Sequence, residues 1–318
     1  MIHYILFFAF LTSVCNLNIS DSTKIQGRFH PDSHQTVYLK KIDYFQKNEK
    51  PLIVDSAYID HNKKFSFELN IDMPGLFYLS TNNEFLATVS YFNQYPDRYY
   101  YSFCSKYYSN GIYLFIEPRN SVSIEWWAND WPKDSVSYAG AQGLSQQFFK
   151  EFYSKVSKED YSDNLYEGSN YKRIAPAMAQ KIVNKAKERM IDYVQENKDK
   201  FSINLYNYFI TEIELGALNQ FLNWYEYVYE DSLRHAFASD QLPDFYVNAF
   251  NTYDSSEKWN KLSIEFYKFT ERYVTFNANK ASNEFKKYYG DTDLKVTIAS
   301  RCLNDNVKMK YIKKITTD

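Results

Sequence analysis

Glycine and proline are scarce in this chain, eight of each in 318 residues. So few glycines argue against a fold built on Gly-rich phosphate-binding loops. Cysteine is scarcer still: three residues, Cys15, Cys104 and Cys302, with no pair spaced Cys-x-x-Cys. That excludes a zinc ribbon and a self-contained dithiol redox site. An excess of one charge sign is also missing. Lys and Arg total 37 against 39 Asp and Glu, a net of -2, so no basic field exists to hold nucleic acid. What the chain has in excess is aromatic: 31 Tyr and 25 Phe. With 45% hydrophobic and 24% charged residues it has the composition of a globular protein. At roughly 100–200 residues per domain the length suggests two domains, enough to bury a core without disulfide or metal staples.

The apolar run Ile5 to Val14 is shorter than the roughly 20 residues that a membrane-spanning helix needs. It matches the apolar core of a secretory signal, although His3 is the sole candidate positive charge ahead of it. The other reading of this run is a buried first strand. The polar stretch Asn16 to Thr23 favours export. The expectation is a signal peptide over 1–19 and a protein of the periplasm or cell envelope. Leu11-Thr12-Ser13-Val14-Cys15 resembles a bacterial lipoprotein box, with Val14 departing from the usual small residue before the cysteine. That likeness implies a signal ending before Cys15 and a lipid on Cys15, tethering the chain to a membrane surface rather than through it.

The chain changes character near residue 140. Over 20–140 short β-branched and aromatic runs alternate with turn residues, as in Phe65/Phe67/Leu69 against Ser66/Glu68. Asp60-His61-Asn62-Lys63 between two such runs predicts a hairpin. Over 141–318 the period becomes helical. Phe148, Phe149, Phe152 and Tyr153 form one stripe, Pro176 opens a long helix, Ser202 can cap the next, and Lys258 to Tyr289 reads as a further helix ended by Gly290. The predicted fold is α+β in separate regions: an antiparallel β-sandwich or barrel, then an all-α region.

The residues that carry chemistry do not converge. His30 and His34 are four apart, but Pro31 and Asp32 place them on an exposed loop. Glu212 and Glu214 fall on different faces of one helix, and Glu226 and Glu230 could share a face, although surface solvation explains them equally well. No G-x-S-x-G elbow is present. We therefore assign no catalytic residue, no metal ligand and no cofactor. The densest local feature is the stretch Tyr91–Tyr108, with Tyr91, Tyr95, Tyr99, Tyr100, Tyr101, Tyr107 and Tyr108. It reads either as a stacking or partner-docking surface or as a long hairpin packed on the aromatic sandwich face. The second is the simpler, since aromatics pervade the chain.

Three stretches carry a family resemblance. They are Ile53 to Asp60 followed by Asn62-Lys63-Lys64-Phe65-Ser66-Phe67, then Tyr113 to Ile124, then Val136 to Ala141 leading into the Phe148 helix. Together they resemble the β-rich domain of unknown function at the N-terminus of envelope proteins of Bacteroidetes-type bacteria. In those proteins it precedes a helical segment and a thioredoxin-like domain of the TlpA thiol-disulfide oxidoreductase type. Arg119-Asn120 stands where the family has a Gly-Asp turn, and Tyr91–Tyr108 looks like an insertion. No Trp-Cys-x-x-Cys stretch occurs in the 318 residues, so no redox residue carries over.

The resemblance implies a non-catalytic, exported docking or scaffold module, with a protein partner or thioredoxin-like domain in the envelope. It implies no nucleic acid, and a membrane surface only through the lipid on Cys15. Two alternatives stand beside it. One is the front half of a thiol-disulfide interchange protein whose thioredoxin domain is lost or separately encoded. The other is an envelope binding protein using the Tyr-rich loop 91–108.

Overall fold

The computed structural model describes residues 22–30, 36–43, 45, 52–81, 111–127, 135–155, 165–167, 170–239, 241–251, 261–281 and 290–316. The 1–19 segment with Cys15, together with His34, Tyr91–Tyr108 and Cys104, lies outside these.

The first region is built of β1 (Thr23–Phe29), β2 (Thr36–Ile42), β3 (Leu52–Tyr58), β4 (Lys64–Leu69), β5 (Gly75–Ser80), β6 (Gly111–Ile116), β7 (Ser121–Trp127) and β8 (Ser135–Ala139). They form two four-stranded sheets, ordered β4-β1-β7-β8 and β3-β2-β5-β6. Alternation sets the inner faces. On β4, Phe65, Phe67 and Leu69 are buried and their neighbours exposed, as the sequence pattern predicts. They meet Ile25, Leu39, Phe77, Leu114, Ile124 and Trp126 in a hydrophobic core between the sheets. The sandwich is mostly antiparallel, but β1 pairs β7 in parallel. Gly27 permits this crowding: a Cβ there would sit 2.5 Å from the Ile124 carbonyl and 2.6 Å from the Phe65 ring.

The predicted hairpin over Asp60–Lys63 is a crossover instead. β3 and β4 belong to different sheets. Asp60 Oδ1 accepts the amide N–H groups of Asn62 and Lys64, each at 2.8 Å, and Lys63 adopts φ 64°. The Lys63 carbonyl then accepts the Phe29 N–H of β1. Local turn chemistry was read correctly. The partner strand was set by burial, because Phe65, Phe67 and Leu69 need β1 and the inter-sheet core.

The second region contains α1 (Gly143–Lys155), α2 (Pro176–Glu196), α3 (Ile203–Val228), α4 (Glu230–Ser239), α5 (Asp244–Asn251), α6 (Ile264–Lys280), α7 (Asp291–Cys302) and α8 (Asp305–Thr316). A two-stranded ribbon (Tyr166–Glu167 with Asn170–Tyr171) lies between α1 and α2. Pro176 occupies the first turn of α2, and Ser202 accepts the Leu205 N–H as the cap of α3. The long helix expected over Lys258–Tyr289 is described as α6, whose start is fixed by Ser263 accepting the Phe266 N–H. Gly290 caps the start of α7, and the expected end of the preceding helix, over 282–289, lies outside the described residues. A residue at the junction of two periodic runs is compatible with both roles, and its φ of -61° suits an N-cap.

The two regions share packing. The outer face of the β3-β2-β5-β6 sheet sends Ile42, Leu76, Tyr78 and Phe115 into the helical core. Phe115 lies 5.6 Å from Tyr208 of α3 and 6.3 Å from Phe149 of α1, ring centre to ring centre. β5 is therefore buried on both faces. This accounts for the aromatic residues on several faces of α3: that helix packs against the sheet, α1, α2 and α6.

Candidate functional site

Polar residues gather at four places, and the chemistry of each can be read from its partners. The first is the junction of the two regions. Glu117, just past β6, is buried. Its Oε1 accepts the Ser202 hydroxyl and the Asn204 amide, both at 2.8 Å, and its Oε2 accepts the Gln142 amide at 3.1 Å. The carboxylate thus sits at the N-terminus of α3, where helix N–H groups favour negative charge. All its partners are positioning groups, so it fastens the sandwich to the helices. Beside it a cleft of about 600 Å³ is lined by Asn70, Ile71, Asp72, Pro118 and Arg119. Arg119 has φ 55°, the conformation that a glycine would adopt at less cost.

The second is Glu226. The sequence reading left it solvated, but Tyr246 donates to its Oε1 at 2.9 Å and Arg272 donates to Oε2. Burial and the neighbouring Glu226 carboxylate hold the Tyr246 phenol well above its usual range. His30 also differs from the expected exposed loop. It bonds Glu125 at 2.9 Å and stacks on Trp127 at 4.7 Å, so it is a cross-strand partner. Among the described residues no group of three or more His, Cys, Asp or Glu could hold a metal ion.

The third is a pair the sequence reading missed. Glu212 of α3 and Glu265 of α6 are both buried. Asn219 donates to Glu265 Oε2 at 2.8 Å, and Lys268 reaches Glu265 Oε1 at 2.7 Å. Burial, then the Glu265 charge, pushes the Glu212 carboxyl up to about 8. The signal was present: Glu212 lies within Phe209-Ile210-Thr211-Glu212-Ile213-Glu214-Leu215, where little solvent-facing surface is left for it.

The fourth is the contrast between the two edges of one sheet. At the β6 edge, Gln146 of α1 acts as a substitute strand: Oε1 accepts the Phe115 N–H at 3.2 Å and Nε2 donates to the Phe115 carbonyl. At the other edge β3 carries Leu52, Ile53, Val54 and Tyr58 at 58%, 46%, 43% and 86% exposure. Among the described residues no strand pairs with its outer side. The β2 register slips between Leu39 and Lys40, leaving Val54 as an extra residue, a bulge.

Cys302 is partly buried, and burial pushes its thiol up, while the Tyr273 hydroxyl bonds its sulfur. It stays a protonated thiol near neutral pH, a poor nucleophile. Among the described residues no helix is long and apolar enough to cross a membrane.

A family model described as a domain of unknown function (DUF4369) matches residues 23–124, the stretch from β1 into β7. No curated protein matches the chain. No solved structure matches it either. The β-rich region is therefore similar to a domain of unknown function, and the helical region lies beyond that match.

Proposed function

We propose that this chain is a non-catalytic, exported docking module of the cell envelope. Its partner is a folded protein, and the resemblance to the front half of TlpA-like oxidoreductases selects a thioredoxin-like domain for that role. The observation that carries this reading is the unequal treatment of the two sheet edges. Gln146 and α1 complete the β6 edge, while β3 presents four large apolar side chains to solvent. The Val54 bulge interrupts the row of edge N–H and C=O groups, so β3 suits contact through side chains better than open-ended strand addition. The polar clusters support the non-catalytic part. Glu117 and Glu226 are occupied by positioning partners, and Cys302 is held as a thiol.

The test combines two measurements on the purified protein. It should reduce insulin no faster than buffer does, and it should bind the thioredoxin-like domain of a TlpA-type envelope protein from the same cell. Turnover at a thioredoxin's rate would contradict the non-catalytic reading, and no binding of that domain would contradict the choice of partner.

A further inference from the structure

Apart from the Arg272–Glu226 pair further along, the α3–α6 interface holds two buried carboxyl groups and one cation around the first turn of α6. Glu212 is 6% exposed and Glu265 4% exposed. The cation, Lys268, is engaged with Glu265, as is the Asn219 amide, so the Glu265 charge is matched. Among the described residues, Glu212 receives the Ser263 hydroxyl and the Glu265 N–H, and its Oε1 has no hydrogen-bond partner. The buried residues of α2, which also packs on α3, carry no charge: Ala179, Val183, Ala186, Met190 and Val194. The charged groups bearing on Glu212 are thus Glu265 and Lys268, both on α6. Two carboxylates with one cation cannot both ionise here without a buried, unmatched charge.

We infer that this interface is a proton-dependent clamp, in which a neutral Glu212 acid keeps the first turn of α6 seated against α3. The seat is direct. Ser263 caps α6 by accepting the Phe266 N–H, and the same hydroxyl bonds Glu212. Phe266 and Phe269 behind this turn are fully buried in the helical core. Losing the proton therefore disturbs a turn on which core packing depends.

The sign follows from linkage. The Glu212 carboxyl binds its proton more tightly folded, at about 8, than at the ordinary 4.5. The proton's contribution is complete below about 4.5 and is lost as pH rises through about 8. Between these limits the opening equilibrium rises by up to roughly tenfold per pH unit, and above them it levels off.

Hydrogen exchange of the full chain, corrected for the intrinsic pH dependence of the amide chemistry, tests this over pH 5 to 9. Amides of 264–270 should lose protection between pH 6 and 8 by up to about a hundredfold, while those of 111–116 keep theirs. Glu212→Gln, neutral at every pH, should flatten the response of 264–270. The same loss in Glu212→Gln as in the natural protein, or no differential loss in the natural protein, overturns the inference. The infrared spectrum of the unaltered protein gives a check that needs no variant. A protonated-carboxyl carbonyl band from a group shielded from exchange should be present at pH 7 and fade by pH 9, and its absence at pH 7 contradicts the clamp.

Discussion

The two edges of the β3-β2-β5-β6 sheet begin with the same liability and end differently. Among the described residues, each outer strand has backbone groups with no neighbouring strand. At β6 the protein closes the edge: a side-chain amide from α1 satisfies both backbone groups of Phe115, and aromatic rings cover its side chain. At β3 the edge is bulged and its side chains stay apolar and exposed. An edge that needs only protection from aggregation is usually given charges. On β3 the sole charged residue is Asp55, between Val54 and Ser56. On the proposed function, the difference separates a surface that serves folding from one that serves contact.

Substitutions on the two sides should therefore behave differently. The largest effect is expected for Phe115→Ala at the closed edge, which removes a buried ring shared by α1 and α3 and should cost about 3–5 kcal/mol in a denaturant titration. Gln146→Ala comes next. It leaves the buried N–H and C=O of Phe115 without partners, for a cost of about 2 kcal/mol. At β3, Ile53→Lys should leave stability within about 0.5 kcal/mol, because the side chain is half exposed. A loss above 2 kcal/mol there would mean that β3 is structural and would erase the contrast. The smallest effect is at the junction: Arg119→Gly should change stability by no more than about 0.3 kcal/mol, since relief of the left-handed backbone is offset by glycine's greater freedom in the unfolded chain.

The sequence made the elements legible more readily than their neighbours. Pro176 and Ser202 marked helix starts because capping is local chemistry. The alternation of β4 showed which face is buried for the same reason. The Asp60–Lys63 turn did not reveal which sheet β4 would join, since both strands around it are equally able to pair. The parallel β1–β7 pairing is a long-range choice, and Gly27 gave its only local trace. The polar clusters were the least legible. Glu117 meets partners from α3, and Glu212 meets Glu265 across two helices, so each becomes visible only once the chain is folded. Aromatic abundance worked against the reading as well: with Tyr and Phe throughout, no single cluster stood out from the core.

The central claim is that β3 is a contact surface for a folded partner. Its most direct test is the affinity of the thioredoxin-like domain of a TlpA-type envelope protein for the natural chain and for Ile53→Lys/Tyr58→Asp, measured by calorimetry. The account predicts binding to the natural chain and at least a tenfold weakening in the double variant, about 1.4 kcal/mol, with unchanged stability. Equal affinity for the two proteins would contradict it.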